Sequence, residues 1–134
     1  MLIQWNNELS VGIDSIDEQH KKLINMINTL NEALAEGEAN EALIAIFDDL
    51  ADYTVSHFGY EEKLFAQHAY EQTESHINEH HAMIEQVQKL RQKMADGDFL
   101  VGVEVMVFLK DWLLNHILKT DKDYGQFLLA KGAS

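Results

Sequence analysis

The sequence predicts an all-α protein: an antiparallel up-down-up-down four-helix bundle with an ordered N-terminal arm and a short C-terminal helix. Three observations carry this expectation. The chain has no proline and only seven glycines in 134 residues, while Leu, Ala, Glu, Lys, Gln and Met, which lose little on entering a helix, recur throughout. Apolar residues repeat at spacings of three and four along four segments, each a stripe for one helix face to bury. Short connections between the segments favour antiparallel neighbours. The length suits one domain over 1–134, with an arm over 1–14, a bundle over about 15–119 and a C-terminal segment over 120–134.

The arm, through about Asp14, lacks a helical period, but Ile3, Trp5, Val11 and Ile13 give it apolar surface to lay against the bundle. Asp14 or Ser15 is suited to cap the first helix, whose stripe runs Ile16, His20, Leu23, Ile27, Leu30 and Leu34 until Gly37 ends it. A second helix from about Asn40 carries Leu43, Phe47, Leu50, Thr54, His57, Glu61 and Leu64 in one phase. After a break near Ala69 to Gln72, a third presents His76, His80, Met83, Val87, Leu90 and Met94, and Asp96-Gly97-Asp98 closes it. The fourth begins near Gly102 and aligns Val105, Leu109, Trp112 and His116, with Phe108, Leu113 and Ile117 widening the face. An amphipathic tail from Tyr124 to Leu129 is placed to cover the end of the bundle.

Composition excludes several functions. Cysteine is absent, so disulfides, thiolate zinc sites, cysteine-ligated iron-sulfur clusters and thiol nucleophiles are ruled out, and any metal takes nitrogen and oxygen ligands. Twenty-three acidic against 10 basic residues, a formal charge of -13, repel nucleic acid and anionic lipid. The sequence from Met1 to Glu8 has no basic segment before an apolar run, and no stretch approaches a membrane-spanning length. A cytoplasmic protein is expected.

The polar residues on the apolar stripes carry the chemistry: His20, His57, Glu61, His76, His80, His116 and Asp121. Ionisable groups are costly to bury without partners, and a metal ion is the simplest reason for keeping so many inside. His57 with Glu61, and His76 with His80, are four apart, so each pair lies on one helix face. His116 and Asp121 are five apart, roughly 140° around a regular helix, so the helix is expected to end or bulge between them for both to face inward. In antiparallel order the ligands fall early, late, early and late along their helices, and all meet near one end. Five imidazoles and two carboxylates exceed the needs of one ion, which points to two, and thiolate-free donors suit iron, manganese or zinc. The competing reading of a lone core histidine suits His20 alone but not the set, and no Lys or Arg stands at helical spacing to pair with Glu61 or Asp121. His68 and His81 are read as non-ligand surface histidines, and Asp48, Asp49, Glu62 and Glu85 as parts of solvated faces.

These residues resemble the hemerythrins, most closely the single-domain bacteriohemerythrins. The resemblance spans essentially the whole chain. It rests on Trp5, Val11-Gly12-Ile13-Asp14, Asp17-Glu18-Gln19-His20 with Leu23, and His57-Phe58-Gly59-Tyr60-Glu61-Glu62. It continues through His76-Ile77-Asn78-Glu79-His80, Trp112-Leu113-Leu114-Asn115-His116-Ile117 and Asp121-Lys122-Asp123-Tyr124. The chain departs from some relatives in having no proline between the last histidine and the aspartate. The resemblance implies two iron ions with an oxo or hydroxo bridge, one held by His76, His80 and His116, the other by His20 and His57, with Glu61 and Asp121 bridging. It further implies that O2 binds at the two-histidine iron, in an apolar pocket that we assign by position to Leu23, Phe58, Trp112 and Leu113; for Trp112 and Leu23 ordinary core packing is an equal reading.

The function so implied is reversible O2 binding for transport, storage or delivery in a bacterial cytoplasm, by a monomer that is not an enzyme and that passes O2 to a protein acceptor. Two other classes compete: an oxygen- or redox-sensing module, and a di-iron enzyme handling peroxide or nitric oxide. Five histidines favour reversible binding, because oxygen-activating relatives of this architecture are richer in carboxylate ligands.

Overall fold

A computed structural model describes residues 3–37, 40–96 and 101–130. Among the described residues, the arm contains one 3-10 turn, Asn7–Leu9. The helices follow as α1 (Asp14–Ala35), α2 (Asn40–His68), α3 (Thr73–Ala95) and α4 (Val101–Asn115); a π-helical segment, His116–Asp121, then leads into α5 (Lys122–Ala130). Contacts run α1 to α2, α2 to α3, α3 to α4 and α4 back to α1, closing the ring of a four-helix bundle. The Gly97-Asp98 stop, Met1 and Leu2 of the arm, and the last four residues of the tail lie outside the described residues. Among the described residues, no helix is long and apolar enough to cross a membrane.

The stripes are buried with two adjustments. Leu34, Leu64 and Trp112 are half-buried, packed against the core without entering it. Phe65, one position beyond the expected Leu64, is fully buried, because α2 turns its aromatic rather than its leucine toward Tyr70, His76 and Tyr124. Asp48 keeps its expected place in solvent, where it pairs with Arg91 across α2 and α3 at 3.0 Å.

Helix ends show how the sequence folds locally. Neither Asp14 nor Ser15 caps α1: Asp14 is the first helical residue, and Ile13 takes the cap position without a side-chain bond. The work falls to Asp17, whose carboxylate accepts from the Val11 amide at 2.9 Å and from the Ser10 hydroxyl. Its charge also suits the positive end of the helix. Further along α1, buried Asn28 accepts from the Ile3 amide (2.9 Å) and donates to the Ile3 carbonyl (2.7 Å), a two-point clamp on the arm. Between α2 and α3, Ala69 is left-handed at φ 54, and the Tyr70 amide donates to the Phe65 carbonyl at 3.0 Å. The Phe65 and Tyr70 rings meet at a tilt, 5.2 Å apart, the apolar contact that accompanies this C-terminal motif. On α5, Gly125 lies so close to the arm that a Cβ there would sit 2.5 Å from the Val11 carbonyl oxygen.

Two substitutions should therefore shift stability in opposite directions. Gly125→Ala forces the arm off α5 and should cost roughly 1–3 kcal/mol, while Ala69→Gly relieves a left-handed alanine and should gain about 1 kcal/mol. Thermal denaturation should show the first variant melting several degrees lower and the second a few degrees higher; an unchanged Gly125→Ala midpoint would mean the arm is not held there.

Candidate metal centre

All seven polar side chains singled out on the stripes converge in one layer, and each is at most 2% exposed. α1 contributes His20, α2 His57 and Glu61, α3 His76 and His80, and the π-helical segment His116 and Asp121. The departure from α-helical geometry required by their five-residue spacing is present: the Lys122 amide donates to the Ile117 carbonyl five residues back. This wider turn brings residues five apart onto one face, and His116 Nε2 lies 2.9 Å from Asp121 Oδ1.

Two overlapping groups have their ligand atoms within 4.8 Å of one another: Glu61, His76, His80 and His116, and His20, His57, Glu61 and Asp121. Asp121 spans both sides, Oδ1 facing His76 Nε2 (3.1 Å) and His116 Nε2, Oδ2 facing His20 Nε2 (3.0 Å). Glu61 does likewise, with Oε1 at 2.6 Å from His57 Nε2 and Oε2 at 3.8 Å from His76 Nε2.

Closeness is not pairing. Both Glu61 oxygens, Asp121 Oδ2 and Nε2 of His20, His57, His80 and His116 are buried without a hydrogen bond of proper geometry. Orphaned buried polar atoms are rare and expensive, and here they point at a common interior. Nitrogen and carboxylate donors in this arrangement fit metal ions of the iron, manganese and zinc type. The donor set therefore suits a pair of such ions.

The electrostatics of the two carboxylates and of His80 agree. Burial and the neighbouring Asp121 charge work to raise the Glu61 pKa, but His57 and His116 outweigh them and hold it below the usual range. Asp121 is likewise opposed by burial yet held well below that range by His116, His20 and His76. Both carboxylates are thus anionic and ready for a cation. Burial pushes His80 down to about 4, against the pull of Glu61, leaving a neutral ring, which is the form that binds metal. His116 goes the other way: burial opposes its charge, but Asp121, Glu79 and Glu61 push it up to about 10.

The outer ring nitrogens reveal residues that the sequence reading missed. Nδ1 of His57 meets Gln19 Oε1 at 2.6 Å, Nδ1 of His116 meets Glu79 Oε1 at 2.9 Å, and Nδ1 of His80 faces Glu62 Oε1 at 3.4 Å. With Nε2 directed inward, Nδ1 carries the proton and donates outward, which fixes tautomer and ring orientation. Glu62 stays partly exposed, as expected of it, while also reaching the His80 ring. Gln19, Glu62 and Glu79 each sit directly beside a cluster histidine or glutamate in sequence, and that adjacency was the available signal.

The four residues assigned to an apolar pocket divide. Leu23, Trp112 and Leu113 line a small cavity beside the cluster. Phe58 does not: it stacks flat on His80, with ring centroids 3.8 Å apart. Trp112 also stacks on His116 at 4.5 Å. Behind His76, Tyr124 is fully buried; its hydroxyl has no partner of good geometry, and burial with the Glu61 and Asp121 charges raises its pKa well above the ordinary value. His81 is exposed and His68 half-buried; neither joins the metal-binding groups among the described residues.

A four-helix bundle with two metal-binding groups of histidine and carboxylate sharing a glutamate defines the class of histidine-rich dinuclear bundle proteins. Residues 11–128 match the family model described as Hemerythrin HHE cation binding domain, and the chain belongs to the hemerythrin family. It is 37% identical over 120 residues to a bacteriohemerythrin of Pseudomonas paraeruginosa, covering 90% of this chain and 77% of that one. A bacteriohemerythrin of Methylococcus capsulatus is 34% identical over 130 residues, covering 96% and 98%. A crystal structure of wild-type hemerythrin superposes with a TM-score of 0.87 at 32% identity, covering 94% of this chain and 97% of its own.

Loss of an outer partner should loosen the metal without unfolding the bundle. Glu79→Gln keeps the shape of the side chain but not its charge, and should weaken metal retention about 10–100-fold. Competition with a chromogenic chelator would measure this; an unchanged dissociation constant would show that Glu79 does no more than fill space beside His116.

Proposed function

We propose that this chain binds O2 reversibly at a di-iron centre, serving oxygen transport, storage or delivery in a bacterial cytoplasm, and that it acts as a binding protein rather than an enzyme. The observation that supports the reading most is the buried cluster of five imidazoles and two carboxylates, most of whose inward atoms lack partners. In the proposed assignment His76, His80 and His116 hold one iron, His20 and His57 the other, and Glu61 and Asp121 bridge them. Such a pair, when bound, supplies reversible two-electron exchange with O2.

The chain's own residues account for the rest. Two histidines on one side against three on the other leave the His20 and His57 side one ligand short, and that is where a small molecule has room to bind. Gln19, Glu62 and Glu79 hold the orientation of three of the five rings, those of His57, His80 and His116. Leu23, Trp112 and Leu113 keep water from that side, which matters because water would displace bound O2 and strand the oxidised form.

The deciding experiment records the optical spectrum of the anaerobically reduced, iron-loaded protein, admits O2 and then purges with inert gas. A new visible band that vanishes on purging is expected. Immediate irreversible oxidation would favour a redox sensor or peroxide-handling enzyme, and the absence of any iron-dependent band would remove the di-iron assignment. Leu113→Asn should admit water and speed autoxidation about tenfold, the effect of ~1.4 kcal/mol on the barrier. An unchanged rate in that variant, followed as loss of the band in air, would deprive Leu113 of its protective role.

A further inference from the structure

α4 carries more apolar side chains than the bundle can bury. Ten of its 15 residues are apolar, whereas a helix that covers a core with one face needs about half. The surplus stands outside. Val107 is 56% exposed, and Leu114, seven residues on, is half-buried; on a regular helix the two fall within about 20° of each other. Leu118, 43% exposed, prolongs the line into the π-helical segment. Single exposed apolar residues are ordinary, but a row of them along one helix marks a contact surface.

Charge selects the partner. Two chains of formal charge -13 repel one another, but the acidic excess lies on other helices, since α1 and α2 together hold ten acids against three lysines. Over 101–130, Glu104, Asp111, Asp121 and Asp123 stand against Lys110, Lys119 and Lys122. Asp121 is buried, and the formal charge of the remainder is zero. A second copy therefore meets little repulsion here. The strip is also self-complementary. Lys110 and Asp111 lie midway between Val107 and Leu114, and neither side chain is paired among the described residues. Two α4 helices laid antiparallel about a two-fold axis at that midpoint set Val107 of each chain on Leu114 of the other. The same operation sets Lys110 of each on Asp111 of the other, the reciprocal contacts of an isologous interface. A parallel pair in register would instead oppose lysine to lysine and aspartate to aspartate.

We propose that the outer face of α4 is a self-association surface through which two copies of the chain form a weak antiparallel dimer, the expected monomer being its dilute form. A single helix pair buries less than the roughly 1,600 Å² of a standard interface, so the dimer forms at high protein concentration and comes apart on dilution. Exposed ion pairs add little affinity. Their part is to set direction, because like charges brought face to face exclude the parallel arrangement. None of the four contact residues belongs to the metal-binding groups.

Sedimentation equilibrium of the metal-loaded protein over a wide concentration range tests this. The mass should rise from that of one chain toward twice that value. Val107→Glu should weaken association at least about tenfold, and Lys110→Asp should also weaken it by opposing acid to acid. Combining Lys110→Asp with Asp111→Lys exchanges the two charges within each chain and should restore the dimer, which a merely damaged helix would not allow. Val55→Glu, at a comparably exposed position on α2, should leave the mass curve unchanged. A protein that stays monomeric to the highest concentration reached would overturn the dimer. Association that survives Val107→Glu, or that Val55→Glu abolishes equally, would overturn its place on α4. If Lys110→Asp has no effect, or the exchange fails to restore what that change removed, the antiparallel register is wrong. Should Val107→Glu lose its helical circular dichroism, the Lys110 variants carry the test.

Discussion

The structure depends on a single constraint: a layer of donors that face one another inside a dry bundle and cannot satisfy one another. Asp121 comes closest to satisfaction, with His76, His116 and His20 around it. Glu61 does not, since both of its buried oxygens lack a properly aligned donor. A buried carboxylate left so is among the costlier features a fold can carry, and bound cations remove that cost because they need no hydrogen-bond alignment. The surroundings answer the same constraint. Outer partners fix the rings, stacked aromatics exclude water above the layer, and apolar residues one turn below exclude it there.

Bringing Asp121 into that layer required breaking helical regularity without proline. The π-helical segment does so by widening one turn, so that His116, Ile117 and Asp121 are all buried while Leu118 faces outward. The helix then resumes, and Tyr124, Gly125 and Leu128 on α5 continue the buried face. The arm packs on Gly125, and Asn28 and Asp17 hold the arm from the other side. Helix end, arm and ligand position are therefore mechanically linked: the segment that places Asp121 is braced by the residues that precede α1.

Periodicity made the four stripes legible in the sequence, and antiparallel order made the common depth of the ligands legible with them. Both are local properties or simple consequences of chain direction, and they also exposed the misfit between His116 and Asp121. Features set by tertiary contact were not legible. The choice of Phe65 over Leu64 depends on what α5 brings to that face. Asn28 reads as an ordinary polar residue until Ile3 is laid against it. Ile13 in place of a capping side chain depends on Asp17 reaching back into the arm. Glu62 looked like a solvent-facing acid because its partner is a ring nitrogen on another helix.

Those outer partners are not distributed evenly, and the unevenness bears on how the two sides would differ. Glu79 and Glu62 stand behind His116 and His80, both in the three-histidine group, whereas His57 has the neutral Gln19 and His20 Nδ1 is without a partner. A carboxylate behind an imidazole makes it a stronger donor. Under the proposed assignment, the side with more ligands also receives the more electron-rich ones, favouring the higher oxidation state there. The other side keeps fewer and weaker donors, so the two halves that would share the same two carboxylates are unequal in charge as well as in number.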